Sequence, residues 1–347
     1  MPWLSTDKES CRLFCEPLSG EASRQEARLH LDAQQLLDFY HREPPISAQI
    51  AGTKYRLPMS LALSGEALQQ PAVEIEAASD PIGYDIERFQ APLLRQLSGE
   101  KRTELHNGQV TRLARLDTSS SQPRLSLSRG NYFDGLTSNF AMDYRPEGEK
   151  QTLREALSAE SGRLGGFSDS GLLNHLGLVG LIESADGQLL VPQRSGRVAN
   201  RRHSLSSSVS GALDWDDLRH SSDGWHGILA GLRREVREEL GITPERIRCL
   251  GLTREFLRGG KPELYFYLRS ELKFAQILSA TRQAEDRREH LRLLPFELAS
   301  PDTPTKSDEF ERRLQRLLEQ LGQQANLTLI AGLLLLHRAL KCTDSSP

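Results

Sequence analysis

The stretch Arg233–Ile247, RREVREELGITPERI, decides how this 347-residue chain is read. It predicts the end of a helix. Gly241 stands where a left-handed residue closes a helix, and Pro244 discourages any continuation. Within the helix, Glu235, Glu238 and Glu239 are spaced by three and four residues, so their carboxylates converge on one side. Like charges so placed repel by roughly a few tenths of a kcal/mol per pair. Leu229, Leu232, Val236 and Leu240 are available for a buried side. Two readings stay open from these residues: a solvated charged face, or a patch that normally carries a cation.

Outward from that helix the chain alternates hairpins and loops. Upstream, LGLVGLIES and QLLVPQRS flank Ala185-Asp186-Gly187, and Asp-Gly between apolar runs predicts a hairpin. A polar loop (GRVANRRHSLSSS), the segment VSGALD and a variable stretch (WDDLRHSSDGWH) lead into the helix. Downstream, IRCLGLTREFL and ELYFYLRSEL predict a second hairpin around Arg258-Gly259-Gly260-Lys261. The tail offers EFERRLQRLLEQLG, with Leu314, Leu317, Leu318 and Leu321 on one face. The run Leu327–Leu336 is too short to span a bilayer and reads as a buried helix.

Nearer the N-terminus, HNGQVTRLARLD and RLSLSRG predict strands on either side of a Ser-rich loop, preceded by a helix over IERFQAPLLRQL. The first 85 residues hold a helix at Leu31–His41 and a strand around KYRLPMSLAL, without recognisable chemistry. The expected organisation is an accessory region over 1–85, a strand-rich part over 86–173, and a main unit with a helical tail over 174–345. The fold class expected is α/β in the α+β layered sense: a mixed sheet sandwiched by helices.

Composition narrows the partners. A formal net charge of −3 argues against a general nucleic-acid or anionic-membrane binder. Four cysteines make no disulfide framework; Cys11 and Cys15 lack a second pair at zinc-ligand spacing. The opening residues lack the pattern of a signal peptide, so a cytoplasmic protein is expected.

The phrase Arg234-Glu235-Val236-Arg237-Glu238-Glu239-Leu240-Gly241-Ile242 resembles the second half of the Nudix box, G-x5-E-x7-R-E-U-x-E-E-x-G-U with U apolar. The resemblance implies hydrolysis of a nucleoside diphosphate linked to another group. It implies Mg²⁺, with Mn²⁺ as the alternative, held by Glu235, Glu238 and Glu239. Such an ion bridges carboxylates and phosphate oxygens and lowers the pKa of the attacking water. The first half of the box departs from the pattern. Counting back from Arg234 places His226 and His220 at its Glu and Gly positions. Taking Gly211 as the box glycine requires an insertion before the helix, and the first glutamate then has no evident equivalent. His226 reads as a surface or packing residue at the helix start.

YFDGLTSNF and LGLVGLIESADGQLLVPQRSGRVA are similar to segments of the Nudix branch that splits UDP-glucose and UDP-galactose into UMP and sugar 1-phosphate. That resemblance implies phosphate contacts from Arg194 and Arg197, and nucleotide contacts from Thr137 and Asn139. Glu263 is a candidate for one more carboxylate, and the rings of Asn131–Phe133 for stacking on a base, with core packing as the competing role. Two other functions fit the same box: hydrolysis of ADP-ribose or another nucleoside diphosphate derivative, and a Nudix fold that senses a nucleotide without turnover. The sequence leaves the oligomeric state open.

Overall fold

The computed structural model describes residues 31–69, 71–76, 107–146, 148–194, 204–221, 223–287, 290–298 and 307–343. The chain builds a mixed α+β fold around two sheets. The larger has eight strands. Along it run β1 (Pro45–Ile50), β2 (Thr53–Ser64), β9 (Arg246–Glu255), β10 (Lys261–Arg269), β6 (Gly177–Glu183), β7 (Gln188–Arg194) and β11 (His290–Glu297), with β8 (Val209–Ala212) paired to β6. The smaller sheet takes the order β3 (Ala72–Ile75), β5 (Arg124–Asn131), β4 (Gln109–Asp117).

Period-2 alternation sorts the central strands between two cores. In β6, Leu178 and Ile182 face one core while Val179 and Leu181 face the other. In β10, Leu264, Phe266 and Leu268 oppose Tyr265 and Tyr267 in the same way. Both faces are therefore covered, and the strands read as continuous apolar runs rather than alternating ones. Over one face lie α5 (Gly224–Leu240), α6 (Phe274–Thr281) and the smaller sheet; over the other lie α7 (Ser307–Leu321) and α8 (Leu327–Thr343). Leu314, Leu317, Leu318 and Leu321 form the buried face of α7, as the spacing predicts. The apolar run Leu327–Leu336 lies buried in α8. Among the described residues no helix is long and apolar enough to cross a membrane.

The 185–187 hairpin forms only at its tip. Gly187 adopts φ +76°, yet β6 and β7 share one residue pair, Glu183↔Leu189. Beyond it β6 runs parallel to β10 and antiparallel to β8, while β7 turns away to pair with β11. The acidic helix packs on β8 and β6, beside this divergence. The β9–β10 hairpin, by contrast, pairs along its whole length.

The boundary expected near residue 85 lies outside the described residues, as do the helix over IERFQAPLLRQL and both Cys11 and Cys15. On its N-terminal side, α1 (Ala33–Phe39) precedes β1 and β2. These two strands extend the large sheet through β9 and share a core with α7 and α8. The sequence reading of this region as an accessory unit did not anticipate a shared sheet. Strand pairing between residues about 190 apart along the chain leaves no local signal.

Candidate metal and substrate site

The acidic helix α5 starts at Asp223, whose side chain accepts from the His226 amide, and ends at Gly241 in the left-handed conformation, φ +70°. A Cβ at Gly241 would lie 2.8 Å from the Ala280 carbonyl oxygen, so glycine is required sterically as well as conformationally. His226 is exposed and pairs with Asp223, the surface role expected of it.

A short helix, α4 (Trp215–Arg219), packs on α5. Two glycines permit this approach. A Cβ at Gly227 would fall 2.8 Å from Leu218 Cδ2, and one at Gly231 would fall 2.8 Å from Asp217 Oδ2. The docking brings Asp217 onto Arg234: Nε donates to Oδ1 at 3.1 Å and Nη2 to Oδ2 at 2.9 Å. This fork geometry gives a strong, directional pair. Asp217 lies six residues after Gly211, where G-x5-E places its glutamate. An acid therefore stands at that spacing, as aspartate, and it meets Arg234 in space. The sequence reading found no equivalent of this acid; the packing brings Asp217 forward as a candidate for it. The signal was present as Gly211-x5-Asp217, but the shortened side chain and the lengthened spacing hid it.

Gly211 itself lies under Glu235. A Cβ there would come within 2.1 Å of the Glu235 carboxyl carbon. Only a glycine leaves room for that carboxylate against β8.

Arg234 also reaches the helix glutamates, with Nη1 3.0 Å from Glu235 Oε1 and 2.8 Å from Glu238 Oε2. The charges on the two partners of the first pair are affected oppositely. For Arg234, burial, which alone would favour the neutral form, is outweighed by Asp217, Glu235 and Asp214, and its pKa is raised. For Glu235, burial dominates, Arg234 opposes it only in part, and Glu239 and Glu238 add to it, so its pKa is pushed up to about 8. The two fit together because Arg234 is shared: its fork belongs to Asp217, and Glu235 receives a remainder. Glu235 thus sits in a field that favours a positive charge.

That shift predicts a pH effect on the metal-free protein. An ordinary glutamate near 4.5 titrates earlier than one at about 8, so the folded state holds the extra proton between these values. Stability then falls as pH rises through this window. Glu235→Gln should flatten the slope, and a divalent cation should relieve it. Melting curves from pH 4.5 to 8.5 check this; a parent and variant with the same slope would refute it.

Glu239 turns to the other side of the helix. Its Oε1 accepts from the Ser210 amide at 3.1 Å, and its Oε2 lies 2.9 Å from His290 Nε2. Arg194 stands directly across from His290 in the β7–β11 ladder, and its buried Nε meets no hydrogen-bond partner among the described residues. Glu235 and Glu238 thus share Arg234, while Glu239 stands with Ser210 and His290, the latter across the ladder from Arg194. Arg197 lies outside the described residues. Neither Ser210 nor His290 was singled out by sequence, because each arrives from a strand distant in the chain.

The donor set suits a hard divalent cation: oxygen ligands, an excess of negative charge, and one carboxylate that burial leaves protonated without a cation. The oxygens are not arranged as a finished ligand shell. Among the described residues no group of three or more His, Cys, Asp or Glu side chains stands ready to hold an ion. Arg234 occupies the carboxylates instead.

The other sequence candidates lie elsewhere. Thr137 is buried and donates to the Phe133 carbonyl at 2.9 Å. Asn139 is buried between the Arg258 carbonyl and Asn174. Both side chains are used within the protein. Glu263 is buried with Lys261 at 3.0 Å. Its strand neighbour Leu264 belongs to the core under α5, so Glu263 faces away from that helix. Tyr132 and Phe133 open the short helix α2 (Tyr132–Leu136) and are half-buried.

Residues 173–317 match the family model of the NUDIX domain. No curated protein matches the sequence significantly. Among solved structures, the chain is similar to the DR0079 protein of Deinococcus radiodurans at 19% identity, covering 48% of this chain and 82% of that one, TM-score 0.29. It is also similar to a MutT protein from Methanosarcina mazei at 14% identity, covering 50% and 96%, TM-score 0.30. A mutT/nudix family protein from Listeria innocua matches at 16% identity, covering 49% and 94%, TM-score 0.31.

Proposed function

We propose that this chain, whose residues 173–317 match the NUDIX domain, hydrolyses the diphosphate of a nucleoside diphosphate derivative with a divalent cation, Mg²⁺ or Mn²⁺. The observation that carries the reading is the spatial completion of the box. Gly211 opens room for Glu235, and Asp217 holds Arg234 in a two-bonded fork. These are the positions a G-x5-[acid]…R-E-x-x-E-E pattern assigns, brought together from segments that an insertion separates in sequence.

Glu235, Glu238 and Glu239 would hold the cation. When bound there, it would supply charge neutralisation of the diphosphate and a lowered pKa for the attacking water. The chain's own residues do the rest. Arg234 keeps Glu235 and Glu238 together until the ion arrives. The Ser210 amide fixes one oxygen of Glu239. Arg194, whose buried Nε meets no hydrogen-bond partner among the described residues, offers donors to a phosphate oxygen.

The substrate we favour is UDP-glucose or UDP-galactose, cleaved to UMP and sugar 1-phosphate. Support comes from the similarity of YFDGLTSNF and LLVPQRSGRVA to the UDP-sugar branch. Arg194, one of the four residues that similarity brought forward, stands across the β7–β11 ladder from His290, whose ring lies 2.9 Å from Glu239. Incubation of a panel of nucleoside diphosphate derivatives with Mg²⁺, read by chromatography, tests this. UDP-sugars should be cleaved faster than ADP-ribose. A tenfold or greater kcat/KM advantage for ADP-ribose or a dinucleotide would replace the substrate and keep the reaction class. Arg194→Ala should lower kcat/KM by roughly ten- to hundredfold, the loss of one charge-assisted bond. Unchanged kinetics would make it a surface arginine.

A second reading has one observation in its favour. Arg234 occupies Glu235 and Glu238, and a side chain that competes for the carboxylates suits a module that senses a nucleotide without turning it over. Tight binding with no product from any substrate of the panel would establish that reading.

A further inference from the structure

We propose that His290 supplies a nitrogen ligand to the cation held by Glu239, so that this site prefers a transition ion such as Mn²⁺ to Mg²⁺; the inference rests on the metal-dependent reading above. The imidazole enters from the first residue of β11, with its side chain 4% exposed and Nε2 2.9 Å from Glu239 Oε2. Neither ring nitrogen makes a hydrogen bond among the described residues. Leaving a buried polar group without a partner costs about 1–3 kcal/mol, so a ring placed this way calls for an atom that it can bind. The Glu239 carboxylate stands within ion-pair distance of Nε2 but does not form a hydrogen bond with it.

Glu239 shows the matching half. Its Oε1 is taken by the Ser210 amide, and Oε2 stands beside the imidazole. Ligands about 2.1 Å from a small divalent ion are separated along an octahedral edge by about 3.0 Å. One ion can therefore span Nε2 and Oε2 with both donors where they already stand. The β7–β11 register shifts between His290 and Arg292, and a shift of this kind re-aims a side chain at a strand end. Here it turns His290 towards α5. Carboxylate, carbonyl and water oxygens suit Mg²⁺ and Mn²⁺ alike, and imidazole nitrogen suits first-row transition ions, a series to which Mn²⁺ belongs as its weakest member and Mg²⁺ does not. Adding His290 to the glutamates moves the preference accordingly.

Pulsed electron paramagnetic resonance of Mn²⁺ bound to the full chain tests the assignment. The expected spectrum shows nitrogen modulation that changes when histidine is labelled with the heavier nitrogen isotope. In His290→Gln the modulation should vanish and the preference for Mn²⁺ over Mg²⁺, read by competition, should fall. A parent spectrum without nitrogen coupling overturns the proposal, as does modulation that persists in His290→Gln. The labelled parent alone can overturn the assignment even if His290→Gln does not fold, and His290→Asn offers a second variant that should lose the modulation. Mn²⁺ binding that survives Glu239→Gln unchanged would instead remove the cation site itself, and a nitrogen-free signal that disappears in Glu239→Gln would remove His290 alone.

Discussion

Glu238→Gln and Glu239→Gln are each expected to reduce turnover by more than the roughly 10–100-fold that losing an outer-shell partner of a metal ligand costs. Both changes remove a charge and keep the shape, so the packing of α5 should survive. The two positions differ in a useful way. Glu238 is partly exposed and bonded to Arg234. Glu239 is buried, with the Ser210 amide on one oxygen, and glutamine's carbonyl can keep that bond. A fall in activity at Glu239→Gln with an unchanged melting temperature would therefore separate a role towards the cation from a structural one. A merely solvated face predicts intact activity and stability shifts within about 0.5 kcal/mol. Turnover with and without EDTA decides. Activity that persists in EDTA, or in the double variant, would end the metal-hydrolase reading.

Arg234→Ala is expected to have the largest effect on stability. Arg234 has Asp217 in a two-bonded fork and Glu235 and Glu238 on its remaining nitrogen. The Asp217 and Glu235 side chains are only 10% and 14% exposed. Removing the guanidinium leaves carboxylates crowded in a poorly solvated space, and breaking such a pair costs about 3 kcal/mol or more. Arg234→Lys should recover part of the loss, since an ammonium keeps the charge but cannot match the fork. Divalent cation should raise the melting temperature of Arg234→Ala by more than it raises that of the parent, because the ion would supply the missing positive charge. Chemical denaturation in metal-free buffer gives the reading. A variant within about 0.5 kcal/mol of the parent would mean that the network contributes little.

The local elements were legible in the sequence wherever a strong periodic or turn signal existed. The helix ending at Gly241, the apolar face of α7 and the β9–β10 hairpin each follow from spacing and a glycine. The Asp186-Gly187 turn was equally clear, but the partners of the strands that leave it were not. Alternation says that a strand has two faces; it does not say which strand lies beside it. The short helix α4 was missed because five residues provide too little periodicity to distinguish a helix from a loop. Its role depends on Gly227 and Gly231 two turns further on, which read as weak helix positions until something is seen to pack against them.

The candidate site divides along the same line. The sequence by itself determined the glutamate triplet, its helical phase and its termination, because all three depend on residues within a few positions of each other. It also held Gly211 at the correct distance before Asp217. What only the tertiary structure decided is the company these groups keep. Asp217 pairs with Arg234 across a 17-residue separation, Glu239 meets His290 from the far edge of the sheet, and Thr137, Asn139 and Glu263 face inward or away. The physical reason is that side-chain direction alternates along strands and rotates around helices. A residue's type and spacing fix its face, but only the packing of whole elements fixes what that face meets.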